Sequence, residues 1–193
     1  MSTRREEAAL RSRARSGKPP VPRSRIVEDD ILVPARGWFV WVTLIGFWLL
    51  SLLPWRAWPS SPDLLLLALA FWAVHEPARV GMLVAFVFGI LMDVHDTVLL
   101  GQHALIYVLV VYGAQALHRR LQRFDLLRQA LHMLPIFVAA TLLGLMVSAW
   151  LMGAWPGWVW LQGAVLTGVL WPVLGWVLLL PQRRIDDTDG TVR

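Results

Sequence analysis

Between Arg79 and His118 the chain carries no Lys or Arg. Its apolar run there, RVGMLVAFVFGILMDVHDTVLLGQHALIYVLVVYGAQAL, nevertheless contains two aspartates, Asp93 and Asp96. A charged residue inside a membrane span costs roughly 2.5–3.5 kcal/mol on insertion scales and is kept where it faces protein or water. The pair therefore marks either a working centre or the place where a helix ends.

The surroundings of that run set the class. The 193 residues are 57% hydrophobic with a mean hydropathy of +0.57. Apolar stretches of about 20 residues recur along the chain, the pattern of an integral membrane protein with one membrane domain. Cysteine is absent, which excludes disulfide scaffolds, thiolate metal sites, S-acylation and cysteine nucleophiles. The net charge of +5 is unevenly placed: nine of the 18 basic residues precede the first apolar run. Basic residues beside spans are topology signals, and no aromatic-interleaved basic surface accompanies them, so nucleic acid is not an expected partner. No cleavable signal peptide is evident, because the first apolar run starts near Trp38 and is too long for an h-region. Arg4-Arg5 is followed by Glu6 and Glu7 rather than by an apolar region, which sets aside a twin-arginine signal.

The expected organisation is all-α and polytopic, with six transmembrane helices and both termini cytoplasmic. Residues 1–36, broken by Pro19, Pro20, Pro22 and Pro34, are expected as a disordered basic cytoplasmic tail able to rest on anionic membrane lipid. Residues 37–181 form the membrane domain and residues 182–193 a second cytoplasmic tail. The spans are expected near 37–53, 64–74, 80–99, 102–117, 129–152 and 158–180, the last kinked by Pro172. The second is short for a crossing, but charge supports it. With six spans the inner segments hold the nine basic residues of the tail, Arg79, the four Arg119, Arg120, Arg123 and Arg128, and the three Arg183, Arg184 and Arg193. Only Arg56 is left outside, as the positive-inside rule asks. Trp38 and Trp41 at one end of the first span, and Trp150, Trp155, Trp158 and Trp160 around the last outer connection, fit interfacial belts.

On a helix Gly89, Asp93 and Thr97 fall on one face at four-residue steps. Small and polar residues on an otherwise apolar helix favour contact with protein. Counted from Val80, Asp93 lies about 20 Å along the helix, beyond the midplane of a ~30 Å core. Gly101 then permits a reversal, and His103 with Tyr107 begin one face of the returning span, within reach of Asp93 or Asp96. A metal site is disfavoured, because His95 points about 200° away from Asp93 on the same helix. In the sixth span Gly163, Thr167, Gly168, Pro172 and Gly175 make a broken small-residue stripe suited to internal packing or a partner helix. No enzyme is expected: neither Ser51 nor Ser148 sits in a Gly-x-Ser-x-Gly elbow, and no His-Glu-x-x-His motif is present. No catalytic, cofactor-binding or metal residue is nominated. Gly89, Asp93, Thr97, Gly101 and His103 are nominated as a helix-packing or partner contact.

The stretch Gly89-x3-Asp93-x7-Gly101-x2-Ala104-Leu105, followed by an Arg-bearing inner loop and two further spans, resembles the rod shape-determining protein MreD family over about residues 37–181. One departure is Thr97, where the family often has glycine. The resemblance implies a non-enzymatic inner-membrane component of the bacterial cell-elongation complex, which builds peptidoglycan and sets cell shape. Its implied partners are MreC and, indirectly, MreB, RodA and a class B penicillin-binding transpeptidase. The implied fold is similar to the six-helix substrate-binding component of energy-coupling-factor transporters. That similarity supplies the alternative function, a substrate-binding subunit for a small vitamin-type molecule, against which the scattered polar residues of the spans argue.

Overall fold

The computed structural model describes residues 37–54, 58, 60–97 and 99–183. The tail expected over residues 1–36 and nearly all of the tail expected over 182–193 lie outside the described residues, as does Arg56. Among the described residues every regular element is a helix: α1 (Gly37–Ser51), α2 (Leu64–His75), α3 (Met82–Asp96), α4 (Gln102–Leu121), α5 (Leu126–Met152), α6 (Val159–Val169) and α7 (Trp171–Arg183). The stretches Leu126–Met152 and Val159–Leu180 are long and apolar enough to cross a membrane, while α1 and α2 are apolar but shorter.

The short second apolar run turns out to be the centre of the bundle. Its sequence, LLLLALAFWAVH, has no polar face, so protein can pack on every side of it without burying an unpartnered side-chain polar group. From Leu65 to Val74 every residue is buried. Helices α1, α4 and α7 pack around it. Phe71 stacks on His75 at 4.1 Å and meets Trp171 at 6.1 Å, while Trp171 reaches Phe137 of α5 at 6.2 Å. The Trp72 indole donates to Thr43 Oγ1 at 2.9 Å, so α1 is held by a hydrogen bond as well as by apolar contact.

Sequence neighbours also pack: α3 with α4, α4 with α5, and α5 with α6. At one end of the bundle three glutamines of α4, its following turn and α5 close the helix termini. A helix end leaves carbonyls without intrahelical partners. Gln115 Nε2 donates to Pro77 O and Val80 O, both at 3.1 Å. Gln122 Nε2 reaches Val74 O at 3.0 Å, and Gln129 Nε2 reaches Leu121 O and Phe124 O, both at 3.0 Å. Gln129 Oε1 accepts from the buried Trp171 indole at 3.2 Å, tying α7 to the same place. At this end Gly37 also lies against the Arg79 guanidinium, where a Cβ would collide with it. The start of α1, the α2–α3 turn and the α4–α5 turn therefore gather together.

The last expected span is interrupted rather than continuous. α6 ends at Val169 and α7 begins at Trp171, with Leu170 between them. Leu170 N still bonds Leu166 O and Leu174 N bonds Leu170 O, both at 3.0 Å. Pro172 has no N–H to offer Gly168 O, so the ladder loosens just ahead of it. α7 then runs on to Arg183, past the boundary expected at 181.

Candidate functional site

The turn between α3 and α4 is built from two left-handed residues. α3 ends at Asp96, and Thr97 (φ 51°) takes the left-handed conformation beyond it. Gly101 (φ 99°) precedes α4, where glycine meets no steric penalty. Gly101 has no side chain with which to cap the helix it opens, and the first turn of any helix exposes amide hydrogens.

Asp93 supplies that cap from the neighbouring helix. Its Oδ2 accepts from Gly101 N at 2.8 Å and Ala104 N at 3.4 Å, and its Oδ1 accepts from His103 N at 2.7 Å. His103 Nδ1 lies 3.0 Å from the same Oδ1, so that nitrogen carries the ring proton and donates. The carboxylate is buried, and a buried charge is tolerable only where hydrogen bonds replace water. Here they do, with the positive end of a helix dipole behind them.

Gly89, one turn earlier, makes this geometry possible. A Cβ there would lie 2.6 Å from Ala104 N, inside the α4 backbone. The two helices thus touch main chain to main chain, and Asp93 reaches amides that a wider spacing would put beyond it. The expected stripe is therefore assembled at Gly89, Asp93, Gly101 and His103. Thr97 stands apart from it: it is exposed and terminates α3 instead of extending the packing face.

Asp96 takes a different position. It is half-buried; its Oδ1 lies 2.9 Å from His95 Nδ1 and its Oδ2 3.6 Å from His103 Nε2. His95, directed away from Asp93, engages Asp96 instead. His103 is thus flanked by both aspartates, and its ring meets Tyr107 edge-on at 5.9 Å.

That tyrosine leads to a residue that the sequence reading passed over. Tyr107 Oη donates to Asp63 Oδ2 at 2.7 Å, and Asp63 Oδ1 accepts from Leu66 N at 3.0 Å, capping α2. Asp63 N donates to Thr167 Oγ1 at 2.9 Å, and Thr167 in turn donates to Gly163 O at 2.8 Å. One aspartate thereby joins the central helix to α4 and α6. Its signal was available, since Asp directly before an apolar helix is a favoured N-cap. Of the two serines considered as nucleophiles, Ser148 donates to Gln102 Oε1 at 2.8 Å, and Ser51 Oγ is buried without a partner among the described residues. The chemistry of both aspartate centres is that of a clasp, accepting hydrogen bonds from fixed donors.

Comparison with known proteins places the chain in a family. The family model described as rod shape-determining protein MreD matches residues 35–183. The rod shape-determining protein MreD of Haemophilus influenzae is 28% identical over 149 residues, covering 74% of this chain and 90% of that protein. No solved structure matches the chain. With a family match that takes in all seven described helices, the chain belongs to the rod shape-determining protein MreD family.

Proposed function

We propose that this protein is a multi-pass, non-enzymatic component of the bacterial cytoplasmic membrane that supports cell elongation and rod shape through association with MreC. Through MreC it would stand beside MreB filaments, RodA and a class B penicillin-binding transpeptidase during peptidoglycan synthesis. The observation that carries this reading is the family match, which runs from just before α1 to the end of α7.

The proposed topology has six crossings and both termini cytoplasmic, with α6 and α7 together making the last. Its support is geometric as well as compositional. The start of α1, the α2–α3 turn and the α4–α5 turn share one end of the bundle through Gly37, Gln115, Gln122 and their partners. The same segments carry Arg79, Arg119, Arg120, Arg123 and Arg128, and the basic tail leads into α1. Positive charge of that kind belongs on the cytoplasmic side. The Asp93 and Asp63 clasps then lie toward the outer leaflet. Exposed Trp150 and Trp158 sit beside the α5–α6 connection at that level. On this reading the fold would be that of an energy-coupling-factor substrate-binding component, put to an assembly role.

In this reading residues 1–36 are a cytoplasmic basic tail and the clasps make the α3–α4 hairpin a stiff element for partners to dock beside. The test is depletion in a rod-shaped host, scoring cell rounding together with recovery of MreC on the tagged protein. Rounding that this chain rescues, with MreC co-purifying, supports the proposal. Normal rods after depletion, or rescue without MreC recovery, overturns it.

A further inference from the structure

At the end that carries both aspartate clasps lies a cavity of about 460 Å³. That volume lies in the range of small-molecule sites, about 300–1,000 Å³. The wall draws on the end of α1, the approach to α2, the end of α3, and α4, α5 and α6. Most of it is apolar, as at Ile106 and Ala164, with Trp160 at one side.

Its polar groups are of two kinds. Asp63 and Asp96 bring carboxylates held in fixed orientation, by Leu66 N and Tyr107 in one case and by His95 in the other. Thr141 and His95 bring a hydroxyl and a ring nitrogen that no described residue engages. A helical threonine usually bonds a carbonyl one turn back, as Thr167 does with Gly163 O. Thr141 makes no such bond and has no hydrogen-bond partner among the described residues, although it lines the cavity. His95 spends Nδ1 on Asp96, and its Nε2 meets no described partner.

We propose that this cavity binds a ligand presenting hydroxyl groups beside an apolar portion, the sugar or polyol head of an amphiphile. A hydroxyl both donates and accepts, so it satisfies the carboxylates and the Thr141 and His95 groups together. An anionic ligand meets two carboxylates, and no Lys or Arg lines the cavity among the described residues. A metal ion finds no group of three His, Asp or Glu among them. The Trp160 ring and the aliphatic wall suit the C–H face of a sugar and the first carbons of a chain. This inference is independent of the elongation reading, and it calls for no transport.

The test uses the full-length protein in nanodiscs of phosphatidylcholine and phosphatidylglycerol, with octyl β-glucoside added below its micellar concentration. The expected result is a saturable rise in Tm of several degrees. Octyl sulfobetaine, with the same chain and a zwitterionic head, should give none. Thr141→Val, which removes one hydroxyl without changing shape, should weaken the apparent affinity about tenfold. Ala164→Phe, which fills the cavity, should abolish the response. A matching rise with glucose alone supports the site with a free sugar as its source, and a rise needing the alkyl chain supports an amphiphile. No rise, an equal rise with the sulfobetaine, or an undiminished rise in Thr141→Val overturns the proposal. The isosteric Thr141→Val decides the matter if Ala164→Phe does not insert.

Discussion

The Asp93 carboxylate accepts the His103 backbone amide at 2.7 Å and the His103 ring nitrogen at 3.0 Å on one oxygen. Its other oxygen holds Gly101 and Ala104 amides. The last turns of α3 therefore cap α4, a helix whose own N-cap residue has no side chain to offer. Replacing Asp93 by Asn keeps one acceptor oxygen and turns the other position into a donor facing amide hydrogens. Each amide so orphaned costs about 1–3 kcal/mol, while removal of the charge also eases burial. Asp93→Asn is thus expected to insert normally and lower Tm moderately and, on the proposed association, to weaken MreC recovery. Asp93→Ala, which loses every bond, should lower Tm further. Thermal unfolding in nanodiscs paired with MreC co-purification checks both, and an unchanged Tm in Asp93→Ala would remove the capping role.

Gly89 and Ala104 carry the second expectation. A Cβ at position 89 collides with α4 main chain, which cannot give way as the tip of a side chain would. Overpacking of this kind costs typically about 1–3 kcal/mol, and here separation of the helices also stretches the Asp93 bonds. Gly89→Ala should therefore destabilise more than its size suggests. Gly46→Ala is the control: nothing lies within 4 Å of a Cβ there, and Ala is favoured over Gly inside a helix by about 1 kcal/mol. Parallel melting curves should separate the two variants in opposite directions.

How much of this was legible beforehand differs between residues for physical reasons. The Gly89–Asp93 face, the Gly101 reversal and the reach of Asp93 toward His103 follow from helical period and turn chemistry, which are local. Thr97 misled because a period of 3.6 continues on paper past the point where α3 ends, while the aspartate pair left a helix end at Asp96 as only one of two readings. The central place of α2 was hidden by its length. A run from Leu64 to His75 looks deficient as a span, and its lack of any polar face does not tell a central helix from one facing lipid, since α1 is as apolar and is exposed along much of its length. Asp63 and Gln129 were passed over because their partners lie far along the chain, at Tyr107, Thr167 and Trp171. Periodicity does not report which distant helix a polar residue meets.

Asp63 and Tyr107 give the third prediction. Tyr107→Phe removes only the hydroxyl, whose bond to the carboxylate is 2.7 Å. A hydrogen bond to a charged group contributes about 1.5–3 kcal/mol, and the buried ring itself stays in place. Asp63→Ala removes that bond and the α2 cap together, with the cap alone worth about 1 kcal/mol. If the two residues act as one clasp, the double variant should be little worse than Asp63→Ala. A double-mutant cycle on unfolding in detergent reads the coupling, and strict additivity would separate them.

Gln129 gives the last, at the opposite end. Its amide nitrogen holds Leu121 O and Phe124 O while its oxygen holds the Trp171 indole, so one buried side chain fastens the α4–α5 turn to α7. Gln129→Leu is close in size and leaves the indole N–H buried without its acceptor, at a cost of about 1–3 kcal/mol. Trp171→Phe deletes that donor but also trims a fully buried ring that packs on Phe71 and Phe137. The combination Gln129→Leu with Trp171→Phe should be less destabilising than the sum of the singles, because neither partner is then left orphaned. Proteolysis of the α4–α5 turn offers a local readout beside Tm. Accelerated cleavage near Arg123 in Gln129→Leu is expected, whereas wild-type cleavage rates together with additive Tm losses would show that Gln129 does not fasten that turn.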